Sequence, residues 1–108
     1  MPLRQVLLLL ALTAMSCTPG SAAGPMTISD FRGFCTVFPT PNSCDSGPIC
    51  DEFAYVLEDT IQSLDDCLAR CRRVKAHLTP GNITNNCAKP LNRASDLCAQ
   101  YCRRAFAQ

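Results

Sequence analysis

Cys67-Leu-Ala-Arg-Cys71 and Cys98-Ala-Gln-Tyr-Cys102 decide how this chain folds. A spacing of four places both sulfurs of each pair on one face of a helix, one turn apart. Two helices marked in this way can be joined side by side. Nine cysteines occur in the 108 residues. Eight of them, Cys35, Cys44, Cys50, Cys67, Cys71, Cys87, Cys98 and Cys102, lie beyond the first quarter of the chain. Thiols at this density belong to an oxidising compartment, where they end as disulfides. The fold class expected is all-α: a small, disulfide-rich helical hairpin or bundle with an irregular N-terminal segment.

Residues 1–23 have the pattern of a signal peptide. Arg4 precedes an apolar run from Val6 to Met15, and Ser21 and Ala23 supply the small residues before a cleavage site at Gly24. The run is too short to span a bilayer, and no other stretch reaches that length, so a secreted, extracellular chain without a transmembrane segment is expected. A competing reading takes Ala14-Met15-Ser16-Cys17 as a loose lipobox, with Cys17 as a lipidation site. In either case Cys17 leaves the disulfide count. Without Arg4, nine acidic residues face nine basic ones, and a net charge of zero disfavours a nucleic-acid partner.

One domain is expected after the leader, made of an irregular, disulfide-tethered segment (24–49) and a stapled helical hairpin (50–108). Pro25, Gly33, Pro39, Pro41, Gly47 and Pro48 punctuate the first part, with Phe31, Phe34 and Phe38 laid across the helices. About 85 residues bury only a modest core, so crosslinks must supply part of the stability. In the second part Cys50, Leu57, Leu64, Cys71 and Leu78 fall seven apart, a helical stripe. Asp51 and Glu52 come early; Arg70, Arg72, Arg73, Lys75 and His77 come late, the order a helix dipole favours. The stripe predicts one helix of about 43 Å. Ser63-Leu-Asp-Asp66, however, resembles an N-cap signal and predicts two abutting helices. Both readings stand at this stage. Thr79-Pro80-Gly81-Asn82 is turn chemistry, and Asn82-Ile83-Thr84 is an N-glycosylation acceptor triplet. A last helix is expected from Pro90 or Asn92 to Phe106, with Leu91, Ala94, Cys98, Tyr101, Cys102 and Ala105 on its apolar face.

The two C-x-x-x-C pairs resemble the cysteine-stabilised helical hairpin of the α-hairpinins and of helical venom toxins. The resemblance covers residues 67 to 102 and is architectural; the loop between the pairs is longer here and carries Cys87. It implies antiparallel helices joined outer to outer and inner to inner, Cys67–Cys102 and Cys71–Cys98. Cys35, Cys44, Cys50 and Cys87 then pair among themselves. A Cys50–Cys87 bridge would require the helix to break near Ser63.

No enzyme, metal or cofactor is expected. Zinc sites favour C-x-x-C and a reducing compartment. His77, the one histidine, is followed by Leu78 and not by the Asp a secreted phospholipase needs. No G-x-S-x-G elbow exists, and the C-C and C-x-C of plant lipid-transfer proteins are lacking. The acidic pairs Glu58-Asp59 and Asp65-Asp66 read as solvated helix faces. The candidate binding surface is cationic and aromatic: Arg70, Arg72, Arg73, Tyr101, Arg103, Arg104 and Phe106. Such a patch on a rigid scaffold suits an extracellular receptor or an ion channel. In the competing reading Arg103 and Arg104 pair with Asp65 and Asp66 across the hairpin. Three functions follow: a venom-type toxin acting on a channel or receptor, a pheromone, hormone-like or effector protein, or a carrier for a small apolar ligand. Oligomeric state is left open by the sequence.

Overall fold

Ser63 settles how the long apolar stripe is divided. In the computed structural model, which describes residues 24–41 and 43–107, the backbone of Ser63 is extended and its side chain accepts from the Asp66 amide. The leader and Cys17 lie outside the described residues. Among the described residues four α-helices follow one another: α1 (Ile28–Thr36), α2 (Gly47–Glu58), α3 (Leu64–Leu78) and α4 (Ala88–Ala105). A 3-10 turn, Pro80–Asn82, separates α3 from α4. The described residues contain no strand, and the all-α class stands.

Of the two readings left open for 50–78, the structure takes the second: two helices, of 12 and 15 residues. The chain leaves α2 at Asp59 in an extended conformation. Thr60 and Ile61, both β-branched, do not favour its continuation. The apolar phase survives the corner. Cys50, Phe53, Ala54 and Leu57 are buried on α2, and Cys67, Cys71 and Val74 on α3. Leu64 and Leu68 are half-buried, as is Ile61 in the corner itself.

The irregular N-terminal segment is corrected in part. Ile28–Thr36 is helical, started by a capping box: the Thr27 hydroxyl accepts from the Asp30 amide and the Asp30 carboxylate accepts from the Thr27 amide. Phe31 and Cys35, one turn apart, form its buried face. Residues 37–41 and 43–46 remain non-helical. Pro48 sits in the first turn of α2, where its missing N–H costs nothing. α4 starts slightly earlier than expected, at Ala88, and Ala105 is exposed rather than part of the buried face.

Four disulfides join all eight cysteines of the described part. Cys67–Cys102 and Cys71–Cys98 staple α3 to α4 with Cα separations of 5.6 and 5.8 Å, in antiparallel order. These two cystines are stacked, with the Cys71 and Cys102 sulfurs 3.6 Å apart. Cys35–Cys50 joins α1 to α2 at 5.9 Å. Cys44–Cys87, at 5.2 Å, ties the loop before α2 to the start of α4. Asn86 prepares the last bridge. Its backbone is left-handed, φ 63°, a region asparagine tolerates. Its side-chain amide donates to the Ser43 hydroxyl, and Asn85 accepts from the Cys87 amide.

α2 packs against all three other helices, and α1 also touches α4. The core is filled by the eight cystine halves together with Met26, Phe31, Ile49, Phe53, Ala54, Leu57, Val74, Leu91 and Ala94. Leu97, Tyr101 and Phe106 flank it half-buried. Among the described residues no helix is long and apolar enough to cross a membrane.

Candidate functional site

The seven residues of the cationic and aromatic set differ in burial and in what they touch. Arg70 is drawn into the α2–α3 corner, with its side chain 16% exposed. Its guanidinium donates to the Val56 carbonyl at 3.1 Å and the Thr60 carbonyl at 2.7 Å. Val56 is in the last turn of α2, so its carbonyl has no partner within that helix. A cation there also meets the negative end of the helix dipole. The same guanidinium lies 3.2 Å from Asp66 and 3.7 Å from Asp59. Arg70 is thus a clamp that holds the corner shut, and its donors are committed inside the fold.

Asp66 is the other half of the clamp. Its carboxylate accepts from the Gln62 amide at 3.0 Å and from Arg70. Those hydrogen bonds, Gln62 first and Arg70 second, hold its pKa below the ordinary carboxylate value. Its own amide donates to Ser63. The corner is therefore cross-braced by Ser63, Asp66 and Arg70, three residues within two turns.

The remaining members of the set differ in setting. Arg72 and Arg73 are exposed on α3. Arg73 lines a surface groove of about 610 Å³ with Tyr55, Val56, Glu58, Asp59, Arg70 and Val74. Tyr101 and Phe106 pack against the core. Arg103 is exposed, while Arg104 is half-buried and lines a second groove, between α1 and α4. Among the described residues neither Arg103 nor Arg104 pairs with Asp65 or Asp66, so the cross-hairpin ion pairs of the competing reading are not formed. Asn82 donates its side-chain amide to the Leu78 carbonyl at 2.7 Å and accepts from Asn85. In the folded chain the nitrogen a glycan would occupy therefore serves the end of α3.

The second groove is the part that sequence reasoning missed. Its volume is about 540 Å³, and Met26, Phe34, Val37, Phe38 and Leu97 supply its apolar lining. Phe34 and Val37, 56% and 76% exposed, lie together in this groove and make a contiguous apolar edge. Arg93, Asp96, Gln100 and Arg104 form its polar side along α4. The Arg93 guanidinium lies over the Phe38 ring, 4.8 Å from its centroid, within cation–π range. The spacing of the α4 residues is legible in the sequence as one helical stripe. Their apposition to Phe34 and Val37 is not, because it depends on α1 being a helix.

Arg32 is a further cation outside the predicted set. It bridges from α1 to Asp51 and Glu58 on α2. Those hydrogen bonds, Glu58 first, raise an already high guanidinium pKa. Both carboxylates are well exposed, so the bridge orients α1 on α2 rather than forming a buried site. Comparison with protein-family models, with curated proteins and with solved structures finds no match to this chain.

Proposed function

We propose that this chain is a secreted, non-enzymatic ligand for an extracellular receptor or ion channel, with a venom-type toxin as its leading form. One observation carries the reading. All eight cysteines of the described residues are oxidised and buried, and their bridges tie every helix of the domain to another. A domain crosslinked to this degree is built for an oxidising medium outside the cell, where it resists unfolding and proteolysis. It also presents rigid surface to a partner, so little ordering entropy opposes binding. The architectural resemblance to helical venom toxins supports the toxin form. The core is occupied by cystines and aromatic rings, and both grooves lie at its surface; this favours surface recognition over carriage of an apolar ligand within the bundle.

Expression of the full chain in a secretory host tests the reading. The expected product lacks the leader and retains no titratable thiol; free thiols in the secreted protein overturn it. Electrophysiology on a panel of channels then tests the toxin form. Block or altered gating supports it, and silence across the panel together with clear binding to another receptor removes it. In that case expression in gland or gamete tissue would identify a pheromone or hormone-like signal of the same build.

A further inference from the structure

We infer that the groove between α1 and α4 is an interface between two copies of this chain, with the two α4 helices antiparallel about a two-fold axis at Gln100. The inference does not rest on the receptor reading. Asp96, Gln100 and Arg104 recur every four residues along α4, and all three line the groove. Placed on one another by a two-fold axis at Gln100, two such stripes are self-complementary. Asp96 of one copy meets Arg104 of the other, the reciprocal pair forms by symmetry, and the two Gln100 amides meet on the axis. A two-fold interface must use the same patch twice, and an acid–amide–base stripe is a pattern that can do so.

Three observations favour a second copy over another occupant. Among the described residues neither Asp96, Arg93 nor Arg104 makes an ion pair within its own chain, so the charges are free to pair outward. The exposed Phe34 and Val37 flank the stripe and would be covered by the partner. The order of charges along α4 favours antiparallel apposition, because parallel helices in register would put like charges together. Arg93 keeps its place over Phe38 and contributes rim. A single helix pair with a few apolar neighbours predicts a weak, concentration-dependent dimer of the transient class.

Sedimentation and light scattering of the oxidised protein over a wide concentration range test this directly. The mass is expected to double as concentration rises, and a chain that stays monomeric throughout overturns the inference and leaves the groove to an outside partner. Asp96→Arg alone and Arg104→Asp alone each place like charges opposite one another, and each is expected to weaken association by about ten-fold or more. The double variant Asp96→Arg/Arg104→Asp restores the complementary order with its sign exchanged, and association should return. Single variants that weaken the dimer without rescue by the double overturn the two-fold pairing. Intact mass with four disulfides and unchanged helicity serve as folding controls for each variant. Val37→Glu supplies an independent variant away from α4, and it too should weaken the dimer.

Discussion

The C-terminal hairpin and the N-terminal half are held by the same number of disulfides, but in different ways. In the hairpin, Cys67 and Cys71 face Cys102 and Cys98 from consecutive turns of two paired helices, and the four sulfurs stack. In the N-terminal half, Cys35 and Cys50 join helices, while Cys44 and Cys87 sit outside helical regions and meet only because two turns bring them together. The hairpin bridges fasten two surfaces that already complement each other. Cys44–Cys87 fastens a loop to a helix start across a sequence separation of 43, against 15 for Cys35–Cys50. A crosslink between regular elements reinforces a register that the helices define; a crosslink between turns defines the register itself.

The largest loss of stability is expected in the helix that belongs to both halves. Phe53 is fully buried on α2, which packs against α1, α3 and α4. Phe53→Ala should cost about 3–5 kcal/mol, measured by guanidinium denaturation of the oxidised protein. A loss below about 1 kcal/mol would mean that the cystines hold the halves together without this side chain.

The bridges come next. In the chain-entropy account, replacing Cys44 and Cys87 together by Ser should cost about 4 kcal/mol, and replacing Cys35 and Cys50 about 3 kcal/mol. The Cys44/Cys87 variant should also lose protection from amide exchange at residues 43–46 and around Asn86, while the α3–α4 hairpin keeps its own. Equal loss of protection in the hairpin would show that its helices depend on the N-terminal bridge for their register.

The two bridging arginines sharpen the same contrast at smaller scale. Arg70→Met keeps the aliphatic bulk but removes the donors to Val56, Thr60, Asp59 and Asp66. It should cost about 1.5–3 kcal/mol, the range for hydrogen bonds to a charged group. Arg32→Met removes exposed ion pairs only, and its effect on the denaturation midpoint should be much smaller and vanish at high salt. An Arg32 effect as large as that of Arg70 would show that the α1–α2 bridge is a true anchor.

The smallest expected effect is a pH dependence at the corner. The folded pKa of Asp66 lies below its unfolded value of about 3.9. Its ionised form therefore stabilises the fold at pH above the unfolded value, and that contribution is lost as pH falls through the lower folded one. Stability should decline on acidification below about pH 4, and Asp66→Asn should flatten that part of the curve. An unchanged acid limb in the variant would move the effect to other carboxylates.

Much of this was legible in the sequence where one helical period carries the information. The two C-x-x-x-C pairs marked α3 and α4, and the resemblance to the stapled helical hairpin implied their antiparallel order. Pro48 marked the start of α2, and the Thr79–Asn82 turn marked the end of α3. Ser63 was legible as an N-cap, yet the apolar stripe ran through it without a change of phase. Periodicity alone therefore could not say whether the helix bends there. The answer comes from Arg70, whose guanidinium returns from α3 to satisfy carbonyls at the end of α2. The Thr27–Asp30 capping box was present in the chain but lay among prolines and glycines, and α1 was missed with it.

The sequence by itself determined the all-α class and the cysteine faces of α3 and α4, because spacing within a helix maps directly onto its faces. Only the tertiary structure decided the partners of Cys44 and Cys50, the commitment of Arg70 to the corner and the groove beside α4. Each depends on groups from separate segments meeting in space, and no local period records such a meeting. The fold also gave members of the cationic and aromatic set different settings. Arg70 lost its donors to backbone carbonyls, Tyr101 and Phe106 were turned toward the core, and Arg104 joined Phe34 and Val37 across α1.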